Sequence, residues 1–420
     1  MKKSAIITCL FLISSLVVSA QTIGLQSELQ YFRAPGYEGL NVFETSKTND
    51  VEFEGLKVRV GGDFALQFQG VSHENGLAGD TLVDLGSNFN LPTANLNLDV
   101  QLADGMRMHL RTYLSSRHHS EAYVKGGYLQ IDKLDWISED FLSGIMDIAT
   151  IKVGMDQFNY GDAHFRRSDN AMAIYNPFVG NYIMDAFSTE PFLEVTLQPS
   201  DFLAVLGATN GRLNQSPVKG DNGMVIYGKL GYDKQINDDF RFRLTGSFYS
   251  SSKEGTRDYL YGGDRAGGRY YHTLESELFG GSDFDPRFNP GFAYQTAFQI
   301  NPFVKYQGFE FFGIFETTSN GNGDVGGNFT QIGAEALYRF GGTEQFYVAG
   351  RYNSVTGKKS DNASDQDISR INIGGGWFLT NQVMAKLEYV SQEHSGDGWN
   401  GSRYQDGKFN GVVLEAVISF

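Results

Sequence analysis

Cysteine is nearly missing from this 420-residue chain: there is one, Cys9. It sits in an apolar stretch, residues 5–18, that follows Lys2 and Lys3 and runs into Val18-Ser19-Ala20 ahead of Gln21. A basic start, a short apolar core and a small-residue cleavage site mark a secretory signal peptide, here residues 1–20. Beyond it no disulfide and no cysteine-ligated metal can support the fold. Proline is scarce too, at nine residues. No apolar run of 18 residues follows position 20, which excludes transmembrane helices. Basic residues are outnumbered, 34 Lys and Arg against 49 Asp and Glu, for a net charge of −15. That balance argues against nucleic acid as a partner.

What the chain has instead is glycine and aromatics, with 51 Gly, 33 Phe and 22 Tyr. They suit turns and interface belts, and the sequence between them alternates. At the carboxyl end Val412, Leu414, Ala416, Ile418 and Phe420 share one face of a strand. Gly411, Glu415 and Ser419 share the other, with Val413 and Val417 as apolar exceptions. A period of two means β-strand. An alternating strand that ends on Phe resembles the assembly signal of bacterial outer-membrane barrels, where the last strand is expected to pair with the first and leave no edge. That first strand starts at Leu56, where Val58, Val60, Phe64, Leu66 and Phe68 alternate with Lys57, Arg59, Asp63, Gln67 and Gln69. A hairpin follows, residues 94–102 and 106–114, turned by Asp104-Gly105.

Counting onward gives about sixteen strands, joined alternately by short turns and long polar loops. The expected fold is therefore all-β: a transmembrane antiparallel β-barrel of about sixteen strands over 56–420, with long extracellular loops and both termini periplasmic. Residues 21–55 read as a periplasmic lead-in that folds into the pore. Residues 134–148 are too long for a periplasmic turn, so a short helical turn is expected there. A secreted β-sandwich would alternate as well. Tyr306, Phe309, Tyr338, Phe340, Phe346, Trp377 and Tyr389 argue for the barrel, because they read as an outward girdle beside the short turns.

A barrel this wide leaves a lumen. On the assigned strands the inward phase is slightly basic although the chain is acidic. Arg59, Arg107 and Arg111 lie on nearby strands at similar heights, where a low-dielectric wall would focus their field on a solute. The segment 158–187 is long and aromatic, and carries Asp162, Arg166, Arg167 and Asp169. It is expected to fold inward as a constriction, the alternatives being a lid or a trimer contact. The predicted pore-lining and constriction residues are thus Arg59, Arg107, Arg111, Asp162, Arg166, Arg167 and Asp169.

The stretches Gly39-Leu-Asn-Val-Phe-Glu-Thr45 and Phe53-Glu-Gly-Leu-Lys-Val-Arg59 resemble the start of porin-like outer-membrane proteins of Bacteroidetes. Ile151-Lys-Val-Gly-Met-Asp-Gln-Phe-Asn-Tyr-Gly161 resembles the constriction-loop start of the phosphate-selective porin O and P family, and Gly308-Phe-Glu-Phe-Phe-Gly-Ile-Phe-Glu316 recurs in similar porins. The resemblance implies a sixteen-stranded, trimeric diffusion channel. Where that pattern usually continues with Lys and Pro, this chain has Asp156-Gln-Phe-Asn-Tyr160, so phosphate selectivity is not carried over.

Other chemistry is thin. Arg117-His-His-Ser-Glu121 puts neighbouring side chains on opposite sides of an extended chain, which defeats a relay. Asn320-Gly-Asn-Gly-Asp324 with Asn328 offers oxygens for Ca²⁺ but lacks a bidentate Glu. No zinc or phosphate-loop spacing is present. The expectation is a non-enzymatic outer-membrane porin without cofactor, passing small hydrophilic solutes and ions. Its expected partners are outer-membrane lipid, the barrel assembly machinery and two further copies in a homotrimer. The alternative is a substrate-specific channel with a binding site for phosphate, another anion or an oligosaccharide.

Overall fold

Strands with one apolar and one polar face can satisfy both only by closing into a ring when no water covers the outside. The computed structural model describes residues 28–115, 123–211, 223–251, 260–262, 269–281 and 286–420. They form one closed antiparallel β-barrel in which every strand pairs with its chain neighbours and the last pairs with the first. In order, the strands are β1 Lys57–Glu74, β2 Thr93–Ala103, β3 Met106–Ser115, β4 Tyr123–Ile131, β5 Ala149–Gln157, β6 Thr189–Leu197, β7 Phe202–Thr209 and β8 Val225–Asn237. They continue as β9 Phe240–Ser251, β10 Gln295–Tyr306, β11 Phe309–Asn320, β12 Asn328–Phe340, β13 Phe346–Lys358, β14 Gln366–Thr380, β15 Val383–Ser395 and β16 Lys408–Ser419. A two-residue piece, Asn88–Phe89, adds beside Phe68 and Gln69 of β1. The signal segment 1–20 and the stretch Arg117-His-His-Ser-Glu121 lie outside the described residues.

Closure is carried by β16 against β1, in register from Asp63↔Ser419 to Glu74↔Lys408. Phe420 extends it: its N–H donates to the Gly62 carbonyl at 3.0 Å, and the Gly62 N–H donates back at 3.1 Å. Val412, Leu414, Ala416, Ile418 and Phe420 all face outward and are exposed. Val413, Glu415, Val417 and Ser419 face inward and are buried. Gln67 donates to the Glu415 carboxylate at 3.1 Å, and the Ser419 hydroxyl donates to Asp63 at 2.8 Å, so the seam is also tied across the lumen face.

The short links, among them Asp104-Gly105, Gln307-Gly308 and Asn381-Gln382, fall at one end of the barrel, and the long loops fall at the other. The exception is 132–148, which holds the only α-helix among the described residues, α1 Ser143–Met146. Outward positions such as Leu206, Leu230, Val348 and Ile373 are exposed and apolar. Near the short turns Phe340, Phe346 and Trp377 stack in a row with centroids 5.7 Å apart, and Tyr306, Phe309 and Tyr338 stand exposed beside them. Tyr389 does not belong to this girdle. It lies well inside β15, level with Ile373 and Val412, because the turn before its strand ends at Gln382.

A charge on this outer surface should be costly in lipid. Ile373→Arg is expected to lower the stability of the barrel folded into phospholipid vesicles by roughly 2–4 kcal/mol, the cost of a midplane cation. Urea titration of vesicle-folded protein measures it; an unchanged midpoint would mean that this face does not meet acyl chains.

Candidate functional site

The lumen is not empty. After β5 the chain bends inward at Gly161, whose φ of +67° favours glycine, and residues 158–188 run through the barrel interior almost wholly buried. Such a segment must find partners for its backbone polar groups, and the inward strand side chains supply them. The N–H of Val179 donates to Glu388 (2.5 Å), that of Ile183 to Asn353 (2.7 Å) and that of Met184 to Gln331 (2.9 Å). Lys386 donates to the carbonyl of Ala173 (2.7 Å) and Arg351 to that of Gly180 (2.8 Å). Apolar packing completes the fit. Ile174 and Phe178 join Leu337, Tyr347, Met384 and Val417 in one cluster. Val179 joins Val390 and Val413 in another.

The predicted loop charges act as anchors. Asp162 is held by Lys229 (2.7 Å), Arg243 (2.8 Å) and the Thr245 hydroxyl (2.8 Å). Arg166 pairs with Glu335 (3.0 Å) and Glu310 (3.5 Å). Arg167 pairs with Asp185 inside the loop at 2.6 Å. Asp169 crosses the lumen to Lys125 and to Arg111, the latter at 3.3 Å. Beside it Asn170 donates to Asn95 at 2.7 Å and to the Ala94 carbonyl at 2.9 Å. Arg269, on the link between β9 and β10, donates to the Asn170 carbonyl at 2.7 Å and also reaches Glu415.

Residues 28–55 enter from the short-turn side. Gln30 accepts from Gln101 at 3.0 Å, Lys47 meets Asp132 at 3.1 Å, and Phe43 lies between Phe165 and Phe303. Glu44 joins the Asp162 group through Arg243 at 2.8 Å and Lys229 at 3.3 Å. Burial opposes the Glu44 carboxylate, but Arg243 and Lys229 outweigh it and hold the group down to about 2. Burial and then Lys229 keep the His164 imidazole well below its ordinary value, so it is neutral.

A cavity of about 170 Å³ stays open between this inner assembly and the wall of β1–β6, and another of about 200 Å³ lies at the short-turn end beside Tyr31, Lys47 and Asp132. Phe32, Arg33 and Pro35 line the short-turn side of the first, and Asp169 with Asn170 crosses the lumen on the long-loop side. Arg59, Arg107 and Arg111 line it together. Asp162, Arg166, Arg167 and Asp169 are not among its lining residues; they are spent on fixing the loop. Charged and histidine side chains absent from the predicted set also line it, among them Asp63, Asp99, His109, Lys152, Asp156, Glu194, Glu44 and His164. The strand residues among them were findable, since His109 shares the inward phase of Arg107 and Arg111. In the 320–328 loop, Asn320 and Asn322 accept from backbone N–H groups two residues on, and among the described residues no group of acids and histidines is placed to hold a metal.

With this geometry in hand, the chain is similar in fold to solved outer-membrane proteins. The anion-selective porin from Comamonas acidovorans aligns with a TM-score of 0.51 at 13% identity, over 87% of this chain and 100% of that one. The outer membrane channel DcaP of Acinetobacter baumannii aligns at 0.50 and 12%, over 87% and 98%. Outer-membrane expressed OmpT of Vibrio cholerae aligns at 0.50 and 11%, over 88% and 99%. No family model and no curated protein matches the chain. The likeness is one of fold.

Two outcomes follow for the anchors. Asp162→Asn leaves Lys229 and Arg243 short of a carboxylate and should destabilise the docked loop by roughly 3–5 kcal/mol, the usual cost of breaking a buried pair; the urea midpoint reads it. Glu44 is depressed, so its contribution is complete above its unfolded value of 4.5 and fades as pH falls toward about 2. The stability difference between the native chain and Glu44→Gln should therefore be constant from pH 7 to 4.5 and shrink below that. A difference that grows on acidification contradicts the assignment.

Proposed function

We propose that this chain is a porin of a Gram-negative outer membrane, passing small hydrophilic solutes and ions by passive diffusion. The observation that carries this reading is the asymmetric filling of the lumen. The inner loop packs along the wall of β8–β15 and is tied across to β2–β4 only at Asp169 and Asn170, and the space left beside β1–β6 is polar and charged. A lumen filled only for stability would not keep a charged cavity along one wall. Selectivity in such a channel comes from the charged groups that line it, which here include Arg59, Arg107 and Arg111.

The outward apolar band and aromatic row fit outer-membrane lipid as the surrounding solvent. Export by the segment 1–20, a periplasmic lead-in over 21–55, insertion by the barrel assembly machinery, and short turns with both termini in the periplasm complete the reading. The resemblance to Bacteroidetes porins adds a homotrimer. It does not add phosphate selectivity. Where the chain departs from that family, at Asp156-Gln-Phe-Asn-Tyr160, the side chains of Asn159 and Tyr160 help anchor the loop, Tyr160 through Glu316 at 3.1 Å. No cofactor and no catalytic step is required.

Planar-bilayer recording of the refolded chain in KCl should show stepwise, ohmic conductance. A sealed membrane despite correct insertion refutes the reading. Replacing Asp169 and Asn170 by Ala together should raise single-channel conductance by on the order of two-fold, because the narrowest section sets the current.

A further inference from the structure

The cavity beside β1–β6 carries five carboxylates and five arginine or lysine side chains, and the two sets are provided for unequally. Every carboxylate has a built-in donor. Glu44 takes Arg243 and Lys229. Asp63 accepts from Asn97 at 3.1 Å and Ser419 at 2.8 Å. Asp99 accepts from His109 at 2.8 Å. Asp156 accepts from the Gln157 N–H at 2.7 Å. Glu194 accepts from the Asn159 N–H at 3.0 Å and the Tyr227 hydroxyl at 2.9 Å. Three of the cations are provided for too. Arg33 donates to the Gly39 carbonyl at 2.8 Å, Arg107 to Gln130 at 2.7 Å, and Arg111 to Asn97 at 3.1 Å and Asp169 at 3.3 Å.

Arg59 and Lys152 are the remainder. Arg59 is 7% exposed, yet among the described residues its guanidinium meets no carboxylate and no hydrogen-bond acceptor; it lies over the Phe32 ring at 5.1 Å. Lys152 likewise has only the Tyr128 ring, at 5.3 Å. Ring faces steady a cation but leave its N–H donors unused. Neither side chain has a sealed nitrogen left without a partner; both line the cavity, so their donors are turned to the open space, where a solute can meet them.

We propose that this cavity is a binding site for a small organic oxyanion, a phosphate monoester or carboxylate, whose charged group fills the donors of Arg59 and Lys152. The carbon skeleton lies along Phe32 and Tyr128. This rests on the porin reading for the route by which the solute arrives, but the site itself can be tested without it.

The test is titration calorimetry on the full chain folded in detergent, with glucose 6-phosphate as probe, and glucose and inorganic phosphate as comparisons. Saturable binding of glucose 6-phosphate, weakened by salt and absent for glucose, is the expected result. Inorganic phosphate binding as tightly assigns the site to the charged group alone and removes the part given to Phe32 and Tyr128. Arg59→Gln with Lys152→Gln should weaken binding at least on the order of ten-fold, whereas Lys408→Gln, at the rim beside Glu74, should not. Native chain that binds glucose and its phosphate alike, or neither, overturns the proposal without any variant. Binding without bilayer conductance would sink the porin reading and keep the site; conductance without binding would do the reverse.

Discussion

The seam between β1 and β16 is the contact on which everything else depends. A sheet placed where water cannot reach its edges must pair every N–H and C=O, and only the join of first strand to last does this for sixteen strands. The join fixes the register, Leu66 opposite Ala416 and Gln67 opposite Glu415. With side chains alternating at a period of two, register then decides which residue faces which way. A slip of one residue would turn Glu415 and Ser419 outward and send Leu414 and Phe420 into the lumen.

The inner face does two jobs, and they divide around the ring. From β8 to β15 the inward side chains are donors, acceptors and apolar surfaces for the loop 158–188. The charged groups there are neutralised in pairs, such as Arg351 with Glu335 at 2.6 Å and Arg339 with Glu310 at 2.7 Å. From β1 to β6 several inward side chains line the cavity, while Asn95, Arg111 and Lys125 also hold Asp169 and Asn170. The division explains why an acidic chain keeps so many basic residues inside: many of them hold a loop in place, and others line the cavity.

The outward half of this structure was legible in the sequence because it obeys a local rule. Alternation, two-residue turns and terminal Phe420 depend on neighbours a few positions away. The inner half was legible only in outline. The aromatic content of 158–187 announced a packed segment, but not its contacts, since Asp162 meets Lys229 and Arg166 meets Glu335 across long stretches of chain. Val413 and Val417 looked like exceptions to the pattern. They are inward residues placed where the loop supplies Val179 and Ile174 as neighbours. Apolar residues in the polar phase of a barrel strand, including Tyr347 and Met384, are thus the signal that something fills the lumen. Charge alone does not separate the roles in the same place: Asp162 and Arg166, read as constriction residues, are fastened to the wall, while Lys152, outside the predicted set, lines the cavity.

The closure itself can be tested by a covalent bond. Residues 21–420 contain no cysteine, so Leu66→Cys with Ala416→Cys places one outward thiol pair directly across the seam. Opposite residues of an antiparallel pair lie about 4.5–5.5 Å apart at Cα, within disulfide reach, and a two-residue shift carries them beyond about 7 Å. After folding into lipid vesicles and mild oxidation, the 66–416 pair should form an intramolecular disulfide and run as a cross-linked monomer, and the 66–418 pair should not. No cross-link at 66–416, or equal cross-linking at both, would contradict the closed barrel.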